Sequence, residues 1–168
     1  MRMNGIDLKP IVIGLFGEDV PRTVKNFKTI ADDSIKTLID THGYRMSYND
    51  TPIHRIMPRF IIQGGDYVFG DGMGGESIYG LEFDDEVFFH NFDRAGLVAA
   101  ANLGPNTNAS QFYITLKDTQ WLNGENVIFG QVLEGWETIH EIERVAGSQE
   151  GTPKVPVDIV KSTLLPKF

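Results

Sequence analysis

The chain contains no cysteine, and that single absence removes disulfide cross-links, thiolate nucleophiles and cysteine-based zinc sites together. It leaves the redox compartment open. The fifteen Lys and Arg are scattered rather than gathered in a run, against a formal net charge of −8, so a basic stripe that tracks phosphates is missing and no nucleic-acid partner is expected. No apolar run approaches the roughly 20 residues that span a bilayer, and Met1 to Pro10 holds no continuous apolar stretch. A soluble chain without a membrane partner is the expectation. Internal repeats and linkers are also absent.

What is present is ordinary globular material: 41% hydrophobic and 23% charged residues over 168 positions, enough for one domain with a sizeable core. The expectation is a single unit over 1–168. Ile11 to Phe16 reads as a buried strand. Val20, Val24, Phe27, Ile30 and Ala31 recur at helical spacing, with Asp19 as the expected cap, Pro21 in the first turn and an end near Asp32. Thr41 to Asp50 is polar and turn-prone. Ile53–Met57 and Phe60–Gln63 are strand pieces around Pro58, and Gly64 to Gly80 is too rich in glycine for a helix. Leu97–Ala101, Gln111–Leu116 and Val127–Val132 are further strands. Trp136, Ile139, Ile142 and Val145 mark a second helix, and Val155–Ser162 a closing strand. Many short strands with two helices favour an antiparallel barrel or sandwich over alternating strand-helix units, and a barrel is the expected form.

Several motifs fail on inspection. Gly70-Asp71-Gly72-Met73-Gly74-Gly75 fits the glycine fingerprint of dinucleotide sites, but no helix can open on its last glycine when Gly80 follows so soon. A tight surface loop is the better reading. His42, His54, His90 and His140 are far apart, with no pair at metal-binding spacing. Glu82, Asp84, Asp85 and Glu86 form an acidic knot that reads as a solvated loop. Neither a metal nor a cofactor is predicted. Two sequons occur, Asn49-Asp50-Thr51 and Asn108-Ala109-Ser110.

Three blocks stand out. The first, His54-Arg55-Ile56-Met57-Pro58-Arg59-Phe60-Ile61-Ile62-Gln63-Gly64-Gly65-Asp66, sets one cation, one amide and several apolar groups on neighbouring strand pieces. Ala101-Asn102-Leu103-Gly104-Pro105-Asn106-Thr107-Asn108-Ala109-Ser110-Gln111-Phe112-Tyr113 adds amides beside aromatics, and Trp121-Leu122-Asn123-Gly124 adds an indole. Together with the Gly-Asp-Gly loop and Ser77-Ile78-Tyr79-Gly80, these blocks closely resemble the cyclophilin-type peptidyl-prolyl cis-trans isomerases, from the first strand to the closing one. The resemblance implies a mainly β fold, a closed antiparallel eight-stranded barrel capped by two helices. It implies rotation about X-Pro bonds without a covalent step.

That chemistry sets requirements. The barrier to rotation is roughly 18–20 kcal/mol because the amide keeps double-bond character. At the twisted midpoint the lone pair collects on the prolyl nitrogen, so a donor aimed there in a water-poor cleft favours the midpoint. Arg55 is the candidate. Millisecond turnover asks for roughly 6–7 kcal/mol, more than one charged hydrogen bond supplies, so binding shares the task. By resemblance, Phe60, Ile61, Tyr113 and Leu122 line a proline pocket. Gln63, Asn102 and Gln111 orient the peptide backbone, Ala101 gives close approach, and Trp121 borders the groove, where the family's tryptophan also helps bind cyclosporin. Asn126 sits at the pocket edge.

The chain departs from the family pattern at Ile61 (methionine is common), Tyr113 (phenylalanine), Asn126 (histidine) and Ala109 (glycine). It also fits poorly from Asp32 to Asp50. Tyr113 adds a hydroxyl to a dry site, Asn126 leaves a gap, and Ala109 would be strained if its backbone angle were positive. The alternatives are a proline-peptide-binding module with weak or no catalysis, or a barrel carrying an apolar small molecule. The expected partners are proline-containing segments of client proteins, with cyclosporin as an inhibitor. A monomer is the default. The second sequon falls inside the working site, which favours a cytoplasmic over a glycosylating compartment.

Overall fold

A computed structural model describes residues 1–166. The short chain of the N-terminus is already structured. Asn4 and Gly5 both take positive φ, 49° and 80°, the pairing that a two-residue hairpin turn requires. The flanking residues become β1 (Arg2–Met3) and β2 (Ile6–Asp7), with Met3 opposite Ile6. β1 also pairs with β10 (Val157–Ile159), which pairs with β4 (Thr51–Pro52), giving a four-stranded sheet ordered β2-β1-β10-β4.

The second sheet has six strands. β3 (Val12–Leu15), β5 (Arg55–Met57), β6 (Ile61–Gly64), β7 (Leu97–Ala100), β8 (Phe112–Thr115) and β9 (Ile128–Glu134) run in the order β3-β9-β7-β8-β6-β5, every pair antiparallel. The fold is thus mainly β with two helices, as expected. The closed eight-stranded barrel is not what forms: among the described residues ten strands lie in two sheets. Their ladders stop at Ile53–His54, between β4 and β5. There the Ile53 N–H bonds Val157 O at 2.8 Å, whereas the Ile56 N–H bonds Gly151 O in an irregular turn at 2.8 Å. The Ile53 bond still belongs to β10, but Ile56 of β5 bonds only the 148–151 turn, through Gly151 O and Ser148 N, so no continuous ladder joins the two sheets here.

Helix α1 (Pro21–Ala31) buries Val24, Ile30 and Ala31, and α2 (Trp136–Ala146) buries Ile139, Ile142 and Ala146. Both join the main core between the sheets, with Met3, Ile53 and Val157 from one sheet and Ile56, Ile62, Val98 and Ile114 from the other. Phe27 anchors α1 in an aromatic group, its ring 5.2 Å from Tyr48, 5.1 Å from Phe112 and 4.9 Å from Phe129. Gly135 precedes α2 at φ 95°, where an added Cβ would lie 2.5 Å from Pro10 O, so only glycine lets this turn close against the chain.

The α1 cap differs from expectation. Val20 occupies the cap position without a side-chain bond, and Asp19 instead meets His90 Nε2 at 2.9 Å. Glu86, from the acidic knot, reaches the helix start: its carboxylate accepts from Arg22 N and Thr23 N at 2.9 Å each and from Thr23 Oγ1 at 2.8 Å. Asp85 is also engaged, with Asn106 N at 3.0 Å and Asn108 Nδ2 at 2.8 Å. The knot is therefore structural at two of its four positions. A carboxylate on free amides at the positive end of a helix is stabilising, so Glu86→Ala should cost about 1–2 kcal/mol. A thermal melt should drop by a few degrees; an unchanged melt would contradict this role.

Candidate active site

Strand register builds the site. Successive residues point to opposite faces, and the ladder sets Ile56 beside Ile62, Ile62 beside Ile114, and Ile114 beside Val98, all in the main core. The intervening residues face the other way: Arg55 opposite Gln63, Met57 opposite Ile61, Gln63 opposite Tyr113, and Tyr113 opposite Ala99. On this outer face a second apolar cluster forms from Ile61, Phe92, Leu97, Ala99, Tyr113 and Ile128, with Phe60, Ala101 and Leu122 packed at its edge. Four of the residues expected to line a proline pocket, Phe60, Ile61, Tyr113 and Leu122, are brought together here. Phe92 and Ile128, which support them from beneath, were not anticipated.

Around this cluster lie the polar groups. Gln63 Nε2 donates to Gln111 Oε1 at 3.1 Å, and Gln111 Nε2 donates to Gly72 O at 2.8 Å and Gly74 O at 2.9 Å. Ala101 N donates to Gln111 O at 3.0 Å, which joins the two edges of the groove. Asn102 Nδ2 donates to Glu125 O at 2.8 Å, and Asn126 Nδ2 to Ala100 O at 2.9 Å. The gap expected at Asn126 is thus bridged by a bond to the end of β7. Trp121, in the short turn Gln120–Leu122, is 59% exposed. Its ring is 5.9 Å from Phe60 and 5.2 Å from Lys117 Nζ, so it stands as an open wall.

Arg55 departs from expectation. It is exposed rather than enclosed in a water-poor cleft, and its Nη2 meets Met57 Sδ at 3.2 Å. A thioether is a weak acceptor, and Met57 lies on the same face because it follows at the strand period of two. The aliphatic stem packs over Gly151, where an added Cβ would lie 3.0 Å from Arg55 Cγ. Arg55 is paired with Gln63 in the ladder, but its side-chain contact is to Met57 rather than to Gln63.

The departures from the family pattern resolve differently. Tyr113 is buried, its ring stacked on Phe92 at 6.1 Å, and its hydroxyl has no partner among the described residues. Burial pushes the phenol far above its usual range. Ile61 is buried as well. Ala109 is not among the residues with positive φ, so the strain foreseen there does not arise. Gly104 and Asn106 carry the positive φ of that loop, at 127° and 59°. The sequon residue Asn108 is buried and bonded to Phe83 O at 3.2 Å.

The rejected glycine motif does bind an anion, but an internal one. Asp66, fully buried, accepts from Val68 N at 3.0 Å and Phe69 N at 2.9 Å through Oδ1, and from Asp71 N, Gly72 N and Gly74 N at 3.1, 2.9 and 3.0 Å through Oδ2. Burial alone would raise its carboxyl, yet the amides outweigh it and hold the group down to about 2. His54 lies under this loop; burial lowers its pKa, partly offset by Asp66 and Asp71.

One juxtaposition escaped the sequence because its members are distant in the chain. Asp40, His42 and Glu76 each bring a ligand-type atom within 4.8 Å of the others. Hydrogen bonds account for the group: Asp40 takes His42 N, Tyr44 N and Tyr67 OH, and Glu76 takes Thr41 N, Thr41 Oγ1 and His42 Nδ1. These bonds pin the divergent 32–50 segment to the glycine loop.

A cation beside two amides, an apolar cluster and an indole wall thus stand together on the outer face of the six-stranded sheet, the set of groups that the resemblance implies. Comparison with known proteins agrees. The family model for cyclophilin type peptidyl-prolyl cis-trans isomerase/CLD matches residues 1–164. Peptidyl-prolyl cis-trans isomerase CYP21-1 of Arabidopsis thaliana is 44% identical over 166 residues, covering 98% of this chain and 73% of that protein. The chain belongs to the cyclophilin-type peptidyl-prolyl cis-trans isomerase family.

The Asp66 cradle makes a pH prediction. Its folded pKa, about 2 against the ordinary 3.8, is depressed, so its stabilisation is present above about pH 4 and is lost as pH falls through about 2. The loss should amount to about 2 kcal/mol. Carboxyl-carbon NMR should give Asp66 a midpoint near 2; an ordinary aspartate midpoint would contradict the cradle.

Proposed function

We propose that this chain accelerates cis-trans rotation about X-Pro bonds in peptide and protein substrates, with residues 1–168 acting as one isomerase domain. The carrying observation is the ladder pair Arg55 and Gln63 beside the outer-face cluster of Phe60, Ile61, Tyr113 and Leu122. A prolyl ring seated on that cluster places its imide nitrogen near the strand pair. Gln63, Asn102 and Gln111 then hold the peptide backbone, Ala101 permits close approach and Trp121 bounds the groove. Arg55 donates to the prolyl nitrogen as planarity is lost.

An exposed guanidinium interacts weakly across water. The bound peptide must therefore cover it, and leaving Met57 Sδ for the imide nitrogen exchanges a weak acceptor for a better one. Since one charged hydrogen bond contributes about 1.5–3 kcal/mol, the grip on the ring and backbone supplies most of the roughly 6–7 kcal/mol that turnover requires. The partners are proline-containing segments of client chains. Cyclosporin should compete at Trp121, the working form is a monomer, and the compartment is cytoplasmic. The burial of Asn108 supports the last point, since a glycan attached there before folding would keep that side chain from packing.

The Arg55–Met57 contact also favours a second reading, a proline-peptide-binding module that catalyses poorly. One experiment separates the two. In an NMR exchange assay on an Ala-Pro peptide, the parent should accelerate rotation, and Arg55→Ala should lose tenfold to several hundredfold in kcat/KM with an unchanged melt. Cyclosporin should abolish the parent's activity. Peptide binding without acceleration, or full activity in Arg55→Ala, would overturn the proposed mechanism.

A further inference from the structure

The polar half of the groove is tied to the buried anion by a chain of hydrogen bonds whose direction is fixed at each step. Gly72 and Gly74 turn their N–H groups to Asp66 Oδ2, at 2.9 and 3.0 Å. They turn their C=O groups to Gln111 Nε2, at 2.8 and 2.9 Å. A carbonyl only accepts, so the nitrogen end of the Gln111 amide is committed to the loop and its oxygen faces the other way. That oxygen takes Gln63 Nε2 at 3.1 Å. Gln63 thereby keeps its Oε1 acceptor, together with the second N–H of Nε2, for the groove, opposite Arg55 in the ladder.

The loop itself has little else to set its shape. Residues 68–74 form no strand or helix, and five of their amides converge on one carboxylate. Gly74 must be glycine for this approach, because an added Cβ would lie 2.6 Å from Asp66 Oδ1. An asparagine in place of Asp66 has nearly the same size but turns an NH2 group toward either two or three N–H donors. Those peptide planes must then rotate, and the carbonyls that hold Gln111 rotate with them.

We propose that Asp66 is a positioning residue for the isomerase reaction. Through the Gly72 and Gly74 carbonyls it sets which end of the Gln111 and Gln63 amides faces the groove, so that Gln63 presents an acceptor to the backbone N–H of the bound peptide. This rests on the isomerase reading above.

The test compares the parent, Asp66→Asn, Gln111→Ala and the double variant in the Ala-Pro exchange assay, with side-chain amide spectra of each. In the parent, the Gln111 side-chain NH2 protons should exchange with solvent more slowly than those of free glutamine. Asp66→Asn should remove that protection and lower kcat/KM about tenfold or more, while in the Gln111→Ala background it should cost less than twofold. Equal losses in both backgrounds, or unprotected Gln111 protons in the parent, would overturn the proposal. Gln111→Glu cuts the chain from its other end, because a carboxylate cannot donate to two carbonyls. It should lose about tenfold or more, and a loss under twofold would also overturn the proposal. If the parent shows no isomerase activity, the isomerase reading fails, whereas the spectra still decide whether Asp66 orients Gln111.

Discussion

The pairing of β6 with its two neighbours is the constraint on which the rest depends. With Ile62 directed into the main core, Ile61 and Gln63 must emerge on the opposite face, and β5 and β8 present Arg55, Met57 and Tyr113 beside them. A slip of one residue would send Gln63 inside and Ile62 out, exchanging the two clusters. The hydrophobic core thus fixes the outer face: the same isoleucines that stabilise the sheet determine which residues stand on the proposed substrate surface.

This sheet is covered on both faces around β8, where Phe112 joins one cluster and Tyr113 the other. Such strands are rigid, and what they carry is held in place before a ligand arrives. The polar groups have a different support. Gln111 hangs from a glycine loop that is irregular in itself but is organised around one buried carboxylate. Preorganisation here comes from packing on the apolar side and from an internal anion on the polar side. Neither requires a metal or a covalent step, which suits a reaction in which no bond to the protein forms.

Much of this was legible in the residues. Helical spacing gave both helices within a residue or two, and the strand runs mark β3, β5, β6, β7, β8, β9 and β10. The three motif blocks led to the groove because the family pattern binds residues that lie far apart in the chain. Other features were encoded but overlooked. Asn4-Gly5 is a hairpin signal, and Met57 follows Arg55 at the strand period. The remainder depends on distance in space. The cap of α1 comes from Glu86, the Asp40–His42–Glu76 group joins two loops, and Asp66 acts through amides that carry no side-chain signal. The closed barrel does not form for a local reason, since Ile56 of β5 bonds the 148–151 turn where a strand would have continued the ladder. Arg55's exposure followed from its place on an edge strand, which periodicity alone does not reveal.

The claim that the outer face of the six-stranded sheet is the working surface can be tested directly by titrating an Ala-Pro peptide into the labelled protein. Backbone and side-chain shifts should concentrate at Arg55, Gln63, Ala101, Gln111, Trp121 and Asn126, and the bound peptide should show exchange between its cis and trans forms. Shifts centred elsewhere, for instance along α1, or a bound peptide locked in one isomer, would contradict the account.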